Sequence, residues 1–588
     1  MTSFQLSIIV ILAVLNLAVP SSATYSRCKC NPADHHTDSS SQNPATSCWP
    51  SPELWTALNT SVSGKLIRNV PVAAPCYPGA LYNAAQCAAV DAQWTNATFQ
   101  SQNPVGLSYP VEVSCPPVNA SAGQVPGTCG MGGLPRYTVN ATTSEDVVVA
   151  VRSEGYGSLE VWVRYLRTGL EFEQSYRSSS DCYKSTWNGS AITIGGGYTW
   201  SDVYPFAESK DVIVVGGGTP TVGCLGGWMQ GGGHGPLSRN YGLGADQVLS
   251  LTAVLATGHI VTADPCTHPD LFFALRGGGP GTYAIVLSTT VKAYPNTRAV
   301  AQHVALAPLS SNTSALLDAI AILWSAYPDL NDAGYAGYGA WGIDAAAPFF
   351  ANFTSGYVHG FYTFGDNVTQ AEAEAAFAPV RARLEPFNGT SLFVSVGYVT
   401  YPSYWPFYRA ESGTEPAVGS PAIVGSRLFD RAALQDNATA LRGMLDVLAG
   451  APGQGVTNDV ELVGGGQVFA DAGDVDSGVN PAWRSSYMSN IVSRAHLPSD
   501  TAAEVRAKER DITDVKVPAM KRVAPHTGAY MNEANRNDPE WMRDFYGGHW
   551  GRLSEIKEKY DLKGVFYCPT CVGSEAWVVE ASGALCRR

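Results

Sequence analysis

Residues 214–246, VVGGGTPTVGCLGGWMQGGGHGPLSRNYGLGAD, constrain this chain more than any other stretch, because twelve of the thirty-three are glycine. An interior glycine costs roughly 0.5–1 kcal/mol against alanine in a helix or strand, so neither element can run through the whole segment. Glycine instead lets backbone N–H groups approach a ligand closely and adopt positive φ. Arg239 is the one lysine or arginine present. The stretch therefore reads as a main-chain cradle for a diphosphate or a flat ring.

At 588 residues the chain exceeds a single core, and its length predicts two to four structural units. Hydrophobic residues at 45% and charged residues at 15% describe a folded globular protein, and the net charge of −13 argues against nucleic acid and anionic membranes as partners. The apolar run Phe4 to Pro20, followed by Ser21-Ser22-Ala23, has the form of a cleaved secretory signal. Sequons at Asn59, Asn96, Asn119, Asn140, Asn188, Asn312, Asn352, Asn367, Asn388 and Asn437 agree with secretion. Seven of the thirteen cysteines (Cys28, Cys30, Cys48, Cys76, Cys87, Cys115, Cys129) crowd the first 130 residues and three (Cys568, Cys571, Cys586) the last twenty-one, as terminal disulfide staples would. The pairings are not legible. The odd total leaves a thiol over if no disulfide joins two chains, and Cys224 is the candidate for a buried, inert one.

Residues 24–133 form a loop-rich, cysteine-rich extension with a helical patch from Ala80 to Trp94. Its Cys28-x-Cys30 beside His35-His36 lacks a second ligand pair at zinc-site spacing, so no metal is expected. A strand, Arg136 to Val139, then precedes a capped helix start at Val147 to Val151, and a further strand runs from Leu159 to Tyr165. That helix is short for a crossover, which normally takes about three turns. Strands follow at Ala191 to Ile194 and Val212 to Val215, with a helix between them at Val203 to Glu208. A hairpin comes next, Val248 to Leu255 and Ile260 to Ala263, then a helical turn at Asp270 to Arg276 and a strand at Tyr283 to Ala293. Beyond Pro295 a helix carries Leu316, Leu317, Ile320, Leu323, Trp324 and Tyr327 at helical spacing. Strands are read at Tyr357 to Phe364, Leu392 to Tyr401 and Val460 to Phe469, with helices at Ala371 to Leu384, Glu540 to Phe545 and Leu553 to Tyr560.

The motifs GxxxxGK[ST], HExxH and GxSxG do not occur, and Gly277 to Gly281 follows a helix, which argues against a doubly wound dinucleotide fold. Three segments do match a family: GGGTPTVGCLGGWMQGGGHGPLSRNYGLGADQVL, DLFFALRGGGPGTYAIVLSTTVKAYP, and the tail GAYMNEANRND with YDLKGVFYCPTCVGSEAW. Over about Pro135 to Trp577 the chain resembles the berberine bridge enzyme-like branch of the vanillyl-alcohol oxidase/p-cresol methylhydroxylase flavoproteins, in its fungal secreted form. That resemblance implies an α+β fold: a two-part FAD-binding domain plus a substrate domain with a large antiparallel sheet covered by helices. The expected layout is a signal peptide at 1–23, the extension at 24–133, the FAD-binding domain at 134–298, the substrate domain at 299–525, and a segment at 526–588 that returns to the FAD site.

The resemblance assigns Gly216, Gly217, Gly218, Thr219, Pro220, Thr221, Val222, Gly223, Gly226 and Gly227 to the loop that contacts FAD. Gly231, Gly232, Gly233, Gly244 and Asp246 would lie along the cofactor, with Gly281 and Ile285 near its adenosine end. Val222 matches a position that controls oxygen access to the flavin. Many relatives tether FAD through a cysteine just before PTVG and a histidine in a segment like KNTGHD. Here Thr219 stands at the cysteine position, and Val151-Arg152 runs directly into SEGYGSLEVW, so the first βαβ part looks truncated by about twenty residues and FAD is expected to be held non-covalently.

Hydride transfer from an alcohol needs a base for the hydroxyl proton. Tyr530 and Asn532 match residues that face the flavin in relatives, and His234 and Glu461 are further catalytic candidates. Glu461 and Gln467 share one face of the 460–469 strand by period two. Tyr398, Tyr401, Tyr404, Trp405 and Tyr408 are candidates for stacking on a flat substrate. Cys568-x-x-Cys571 reads as a structural disulfide. The expected activity is that of a secreted FAD-dependent oxidase acting on an alcohol, sugar or secondary metabolite, with the small-molecule substrate and O2 as its partners. The alternatives are a secreted glycoprotein that has lost flavin binding, and a flavoenzyme doing a cyclisation or dehydrogenation.

Overall fold

The computed structural model describes residues 50–106, 115–118, 129–131, 134–153, 159–178, 182–345, 353–413, 418–419, 422–451, 453–495, 500–579 and 585–587. The signal segment, Cys28, Cys30, Cys48, Asn119 and Asn352 lie outside them. Residues 50–575 form one compact unit. The described strands of the other unit, Trp577–Val579 and Leu585–Arg587, pair antiparallel.

The large unit is built on two principal sheets. Residues 170–292 supply a five-stranded antiparallel sheet in the order Leu170–Glu173, Ala191–Gly195, Ala284–Lys292, Val248–Leu255, Ile260–Ala263. The second sheet is seven-stranded and antiparallel throughout. From edge to edge it runs Leu392–Tyr401, Ala299–Pro308, Gly356–Phe364, Ala336–Gly342, Val456–Leu462, Ser486–Ala495, Ala422–Asp430. Period-two alternation gives this sheet two unlike faces. One packs large apolar residues under helices Ser314–Asp332, Gln370–Leu384, Ala438–Ala449 and Val517–Val523. The other carries Ala305, Ala340, Val358 and Gly360, and leaves a cleft.

Ahead of both sheets, the shortened crossover still closes. Strands Tyr137–Asn140 and Leu159–Trp162 pair in parallel, and helix Ser144–Arg152 connects them. Nine helical residues span roughly 13 Å and four strand residues about the same, so the helix returns the chain over the full length of its strand. The helix is held at its start by a capping box, Thr143 with Asp146, and the Asp146 carboxylate also takes Lys65 Nζ at 2.6 Å. Leu159–Trp162 is the edge of this three-stranded sheet among the described residues. The parallel pair is therefore intact, with its second strand at the sheet edge among the described residues.

A single apolar core joins segments far apart in the chain: Trp200 and Val215, Ala299 and Tyr362, Tyr404 and Phe407, and Phe545 and Leu553 of the tail all belong to it. Disulfides link Cys76–Cys87, Cys115–Cys129, Cys182–Cys266 and Cys568–Cys571, so the tail CxxC is a closed ring. Cys224 is free and buried, as its surroundings in sequence suggested. Two element readings need correction. The strand read at 460–469 ends at Leu462, because Gly465 and Gly466 take φ of 73° and 46°, and a short helix Gly466–Ala470 follows. Gln467 is on that helix with its amide on Asp471, and does not share the strand face of Glu461. The strand Leu159 to Tyr165 stops at Trp162.

Candidate active site

The glycine-rich stretch leaves the strand Val212–Ile213 and is pinned from below by aromatic rings. Tyr204 donates to the Gly217 carbonyl at 2.6 Å and Tyr408 to the Gly218 carbonyl at 3.0 Å. The helix Tyr404–Glu411 turns Tyr404, Trp405 and Tyr408 inward to do this. Tyr408 buttresses the loop, while Tyr404 and Trp405 are buried in the apolar core. Tyr398 points to the helix-covered face of its strand, opposite Gly397, while Tyr401 donates to Glu411 at 2.6 Å.

The glycines divide into two classes. Gly216, Gly231, Gly233, Gly235 and Gly244 are required by the chain's own packing: a Cβ there would meet the Trp200 ring, the Asn532 amide, Trp228, the Gly216 carbonyl and Trp228 again, each within 2.8 Å. At Gly218, Gly223, Gly226 and Gly227 an added Cβ meets nothing within 4 Å, and none of these four has positive φ. Neither packing nor a positive φ demands glycine at those four, and together they present a bare main-chain face. Such a face admits a planar or phosphorylated group at closest approach. Thr219, Pro220, Thr221 and Val222 span the rim between them, with the Pro220 and Val222 carbonyls bonded to the start of helix Trp200–Glu208. Gly232, at φ 118°, faces Tyr530. Gly281 is likewise open, at φ 61°, and its loop reaches the stretch through Gly279 N–H to the Gln230 carbonyl at 3.0 Å. Ile285 lies half-buried on the strand Ala284–Lys292. Asp246 has a different job: its carboxylate takes Arg484 at 2.7 and 2.9 Å and the Leu243 N–H at 2.9 Å.

The tail closes over this face. Asn532 donates to the Gly227 carbonyl at 2.8 Å and to the Tyr530 hydroxyl at 2.6 Å. Next to it His234 is gripped from two sides, with Tyr338 Oη 3.0 Å from Nδ1 and the carboxylates of Glu533 and Glu461 3.3 and 3.4 Å from Nε2. Tyr338 donating to Nδ1 and Nε2–H facing the carboxylates is the one proton arrangement that suits every partner of a neutral imidazole. The structure thus brings His234, Glu461, Tyr530 and Asn532 into one cluster, and adds Glu533, Tyr338 and Asp459, which sequence reading passed over. Asp459 was legible, two residues before Glu461 on the same strand face. Glu533 sits within the quoted GAYMNEANRND motif.

Burial and the neighbouring Glu533 push the Glu461 carboxyl well above its usual range. The same two causes lift Asp459 to about 6. Asp459 is exposed on its strand, paired with Ala340 of the neighbouring strand. Burial also pushes the Tyr530 phenol well above 10, which keeps it neutral.

The FAD binding domain model of known families matches residues 135–264, and the model described as berberine and berberine like matches 529–573. The FAD-linked oxidoreductase hmp9 of Hypomyces subiculosus is 44% identical over 586 residues, covering 96% of this chain and 91% of the relative. The chain belongs to the berberine bridge enzyme-like flavoproteins of the vanillyl-alcohol oxidase family. FAD-linked oxidoreductase apf9 of Gibberella fujikuroi is 38% identical, covering 98% and 99%. That match extends over 611 residues, more than the 588 here, so this relative carries residues that the present flavoprotein lacks. Among solved structures, the VAO-type flavoprotein MtVAO713 from Myceliophthora thermophila superposes with a TM-score of 0.89 at 42% identity, covering 94% of this chain and all of that one. The flavoprotein is thus an FAD-linked oxidoreductase, and the bare face at Gly218, Gly223, Gly226 and Gly227 fits its cofactor. Gly227→Val is expected to fold, since the added methyls enter open space, but to purify with less than half the wild-type flavin per protein in its absorbance spectrum. Undiminished flavin would show that the cofactor does not lie against this face.

Proposed function

We propose that this flavoprotein is a secreted oxidase that takes a hydride from the carbinol carbon of a small molecule and yields H2O2. The observation that carries the reading is the crowding of His234, Glu461 and Glu533, with all three ligand atoms within 4.8 Å of one another, beside the open glycine face. Burial and the Glu533 charge raise the Glu461 carboxyl, so once ionised it is a stronger base than a free carboxylate. FAD, when bound, supplies the hydride acceptor, and its reoxidation by O2 would give the peroxide. In this chain's share of the work, the Glu461–Glu533 carboxyl pair takes up the substrate hydroxyl proton. His234 Nε2–H fixes the carboxylates in place. Asn532 holds Tyr530 and the Gly227 carbonyl together, closing the site from the tail side. Loss of the carbinol hydrogen as hydride and of the hydroxyl hydrogen as a proton leaves the carbonyl product, and O2 takes up both electrons and two protons.

Support for secretion comes from exposure of the sequon asparagines Asn96, Asn188, Asn312, Asn367, Asn388 and Asn437. A panel of alcohols and sugars tests the activity by peroxide release. A substrate that bleaches the flavin without air, with no recovery of colour on admitting O2, would make the enzyme a dehydrogenase.

Non-covalent FAD is part of the proposal. Thr219 offers no thiol, and Cys224, the free cysteine among the described residues, is buried with its thiol pushed up by burial. Acid precipitation is expected to leave all the yellow colour in the supernatant. Flavin retained on the pellet would refute the absence of a tether.

A further inference from the structure

The cleft on the open face of the seven-stranded sheet has a second polar end. Its volume is about 370 Å3, and His303, Ala305, Tyr338, Ala340, Val358 and Gly360 line it. Strand register fixes the distance between the ends. His303 pairs with Gly360, Gly360 with Tyr338 and Tyr338 with Glu461, so the imidazole and the carboxyl stand in one row, three strand spacings or about 14 Å apart, which leaves roughly 9–10 Å between the ends of a ligand hydrogen-bonded to both. Tyr338 leads directly to His234 and the carboxyl cluster. Gly360 between them leaves the floor low, and the alanines and valine make it apolar.

His303 Nε2 is committed to Glu411 at 2.7 Å, and Glu411 is also bonded by Tyr401 at 2.6 Å. Nδ1 has no hydrogen-bond partner among the described residues, and the ring is half exposed to the cleft. The bond to Glu411 raises the His303 pKa, favouring the imidazolium whose Nδ1–H is a donor. Because Glu411 already balances that charge and the opposite end is acidic, an anionic ligand gains little here. A neutral acceptor oxygen gains a charge-assisted hydrogen bond.

We propose that His303 is a specificity-determining residue, selecting uncharged, flat substrates with a hydrogen-bond-accepting oxygen about 10 Å from the carbinol that is oxidised; this rests on the reading of the cleft as the substrate site. The test uses 6-acetyl-2-(hydroxymethyl)naphthalene and its 6-ethyl analogue, which differ in the carbonyl, with dissociation constants from calorimetry on the flavin-loaded enzyme. Wild type binds the acetyl compound about tenfold more tightly. His303→Leu brings the two within twofold of each other while leaving the ethyl compound's constant unchanged. His303→Gln, which keeps an N–H donor, restores at least threefold preference. Equal binding of the pair by wild type, or tenfold preference persisting in His303→Leu, overturns the assignment to His303. Failure of wild type to bind either compound overturns the reading of the cleft itself, an outcome distinguished by the missing heat from the ethyl analogue.

Discussion

Replacing Glu461 by glutamine is expected to slow anaerobic flavin reduction by about 10²- to 10⁴-fold with any alcohol that the wild type oxidises, the range for losing a positioned general base. Glutamine keeps the size and polarity of the side chain, so the Kd for substrate should change little. The pH dependence gives a sharper signature. Glu461 is held above the usual carboxylate range first by burial and then by the Glu533 charge, so it is protonated and inactive as a base at low pH. Wild-type flavin reduction therefore rises with pH as the pair loses its proton. Glu533→Gln removes the raising charge and moves that rise to lower pH. The same sign governs stability: carboxyls whose pKa rises on folding, Asp459 at about 6 among them, favour the folded state most below the unfolded value near 4 and lose that contribution as pH climbs through the folded one. A Glu461→Gln enzyme with wild-type reduction rates would remove Glu461 from the mechanism and return Tyr530 to consideration.

The largest expected loss of stability lies at Asp544, in the helix Trp541–Tyr546 of the tail. Its fully buried carboxylate meets Arg427 at 3.0 Å and Lys521 Nζ at 2.6 Å. Arg427, 1% exposed on the strand Ala422–Asp430, also donates to the carbonyls of Ala524 and Thr527. Asp544→Ala leaves the guanidinium buried without its counter-charge, a defect of about 3–5 kcal/mol. That is a large part of the ~5–15 kcal/mol by which folded domains typically exceed their unfolded states. The melting temperature should fall by several degrees, and flavin should be lost at the same temperature as ellipticity, because Asp544 anchors the segment that carries Asn532. Burial alone would raise the Asp544 pKa, but Lys521 and Arg427 hold it below the usual value. Its contribution is present above the unfolded pKa and disappears as pH falls through the folded one, so mutant and wild type should converge in acid. Equal melting temperatures at neutral pH would contradict the argument.

Much of the first half was legible because its signals are local. The hairpin at Val248–Leu255 and Ile260–Ala263 follows from two apolar runs and a Thr257-Gly258 turn, and the glycine cradle announces itself by composition. The seven-stranded sheet was only partly visible. Its strand Ala336–Gly342, AGYGAWG, has little intrinsic strand preference. Glycine is needed there because a Cβ at Gly337 would strike the Gly360 carbonyl at 2.1 Å, and one at Gly339 would strike the His359 ring and the Val358 carbonyl. Close approach between strands is a tertiary fact. The run at 460–469 misled for the opposite reason, since its alternation continues past three glycines that end the strand. In the site, His234 and Tyr530 came from motifs, but Glu461 and Glu533 meet across seventy-two residues, and only the fold reveals that their charges conflict.

The bond from Asn532 to the Gly227 carbonyl spans 305 residues. At a synthesis rate of about 5–20 residues per second, the glycine loop leaves the ribosome roughly 15–60 s before the segment that closes it. For the first part of that interval, until the helix Tyr404–Glu411 is made, the nascent chain holds an incomplete core in which the Tyr204 ring lacks Trp405 and Tyr408. Closure of the glycine face thus comes late in the birth of this molecule, after almost the whole chain has been made.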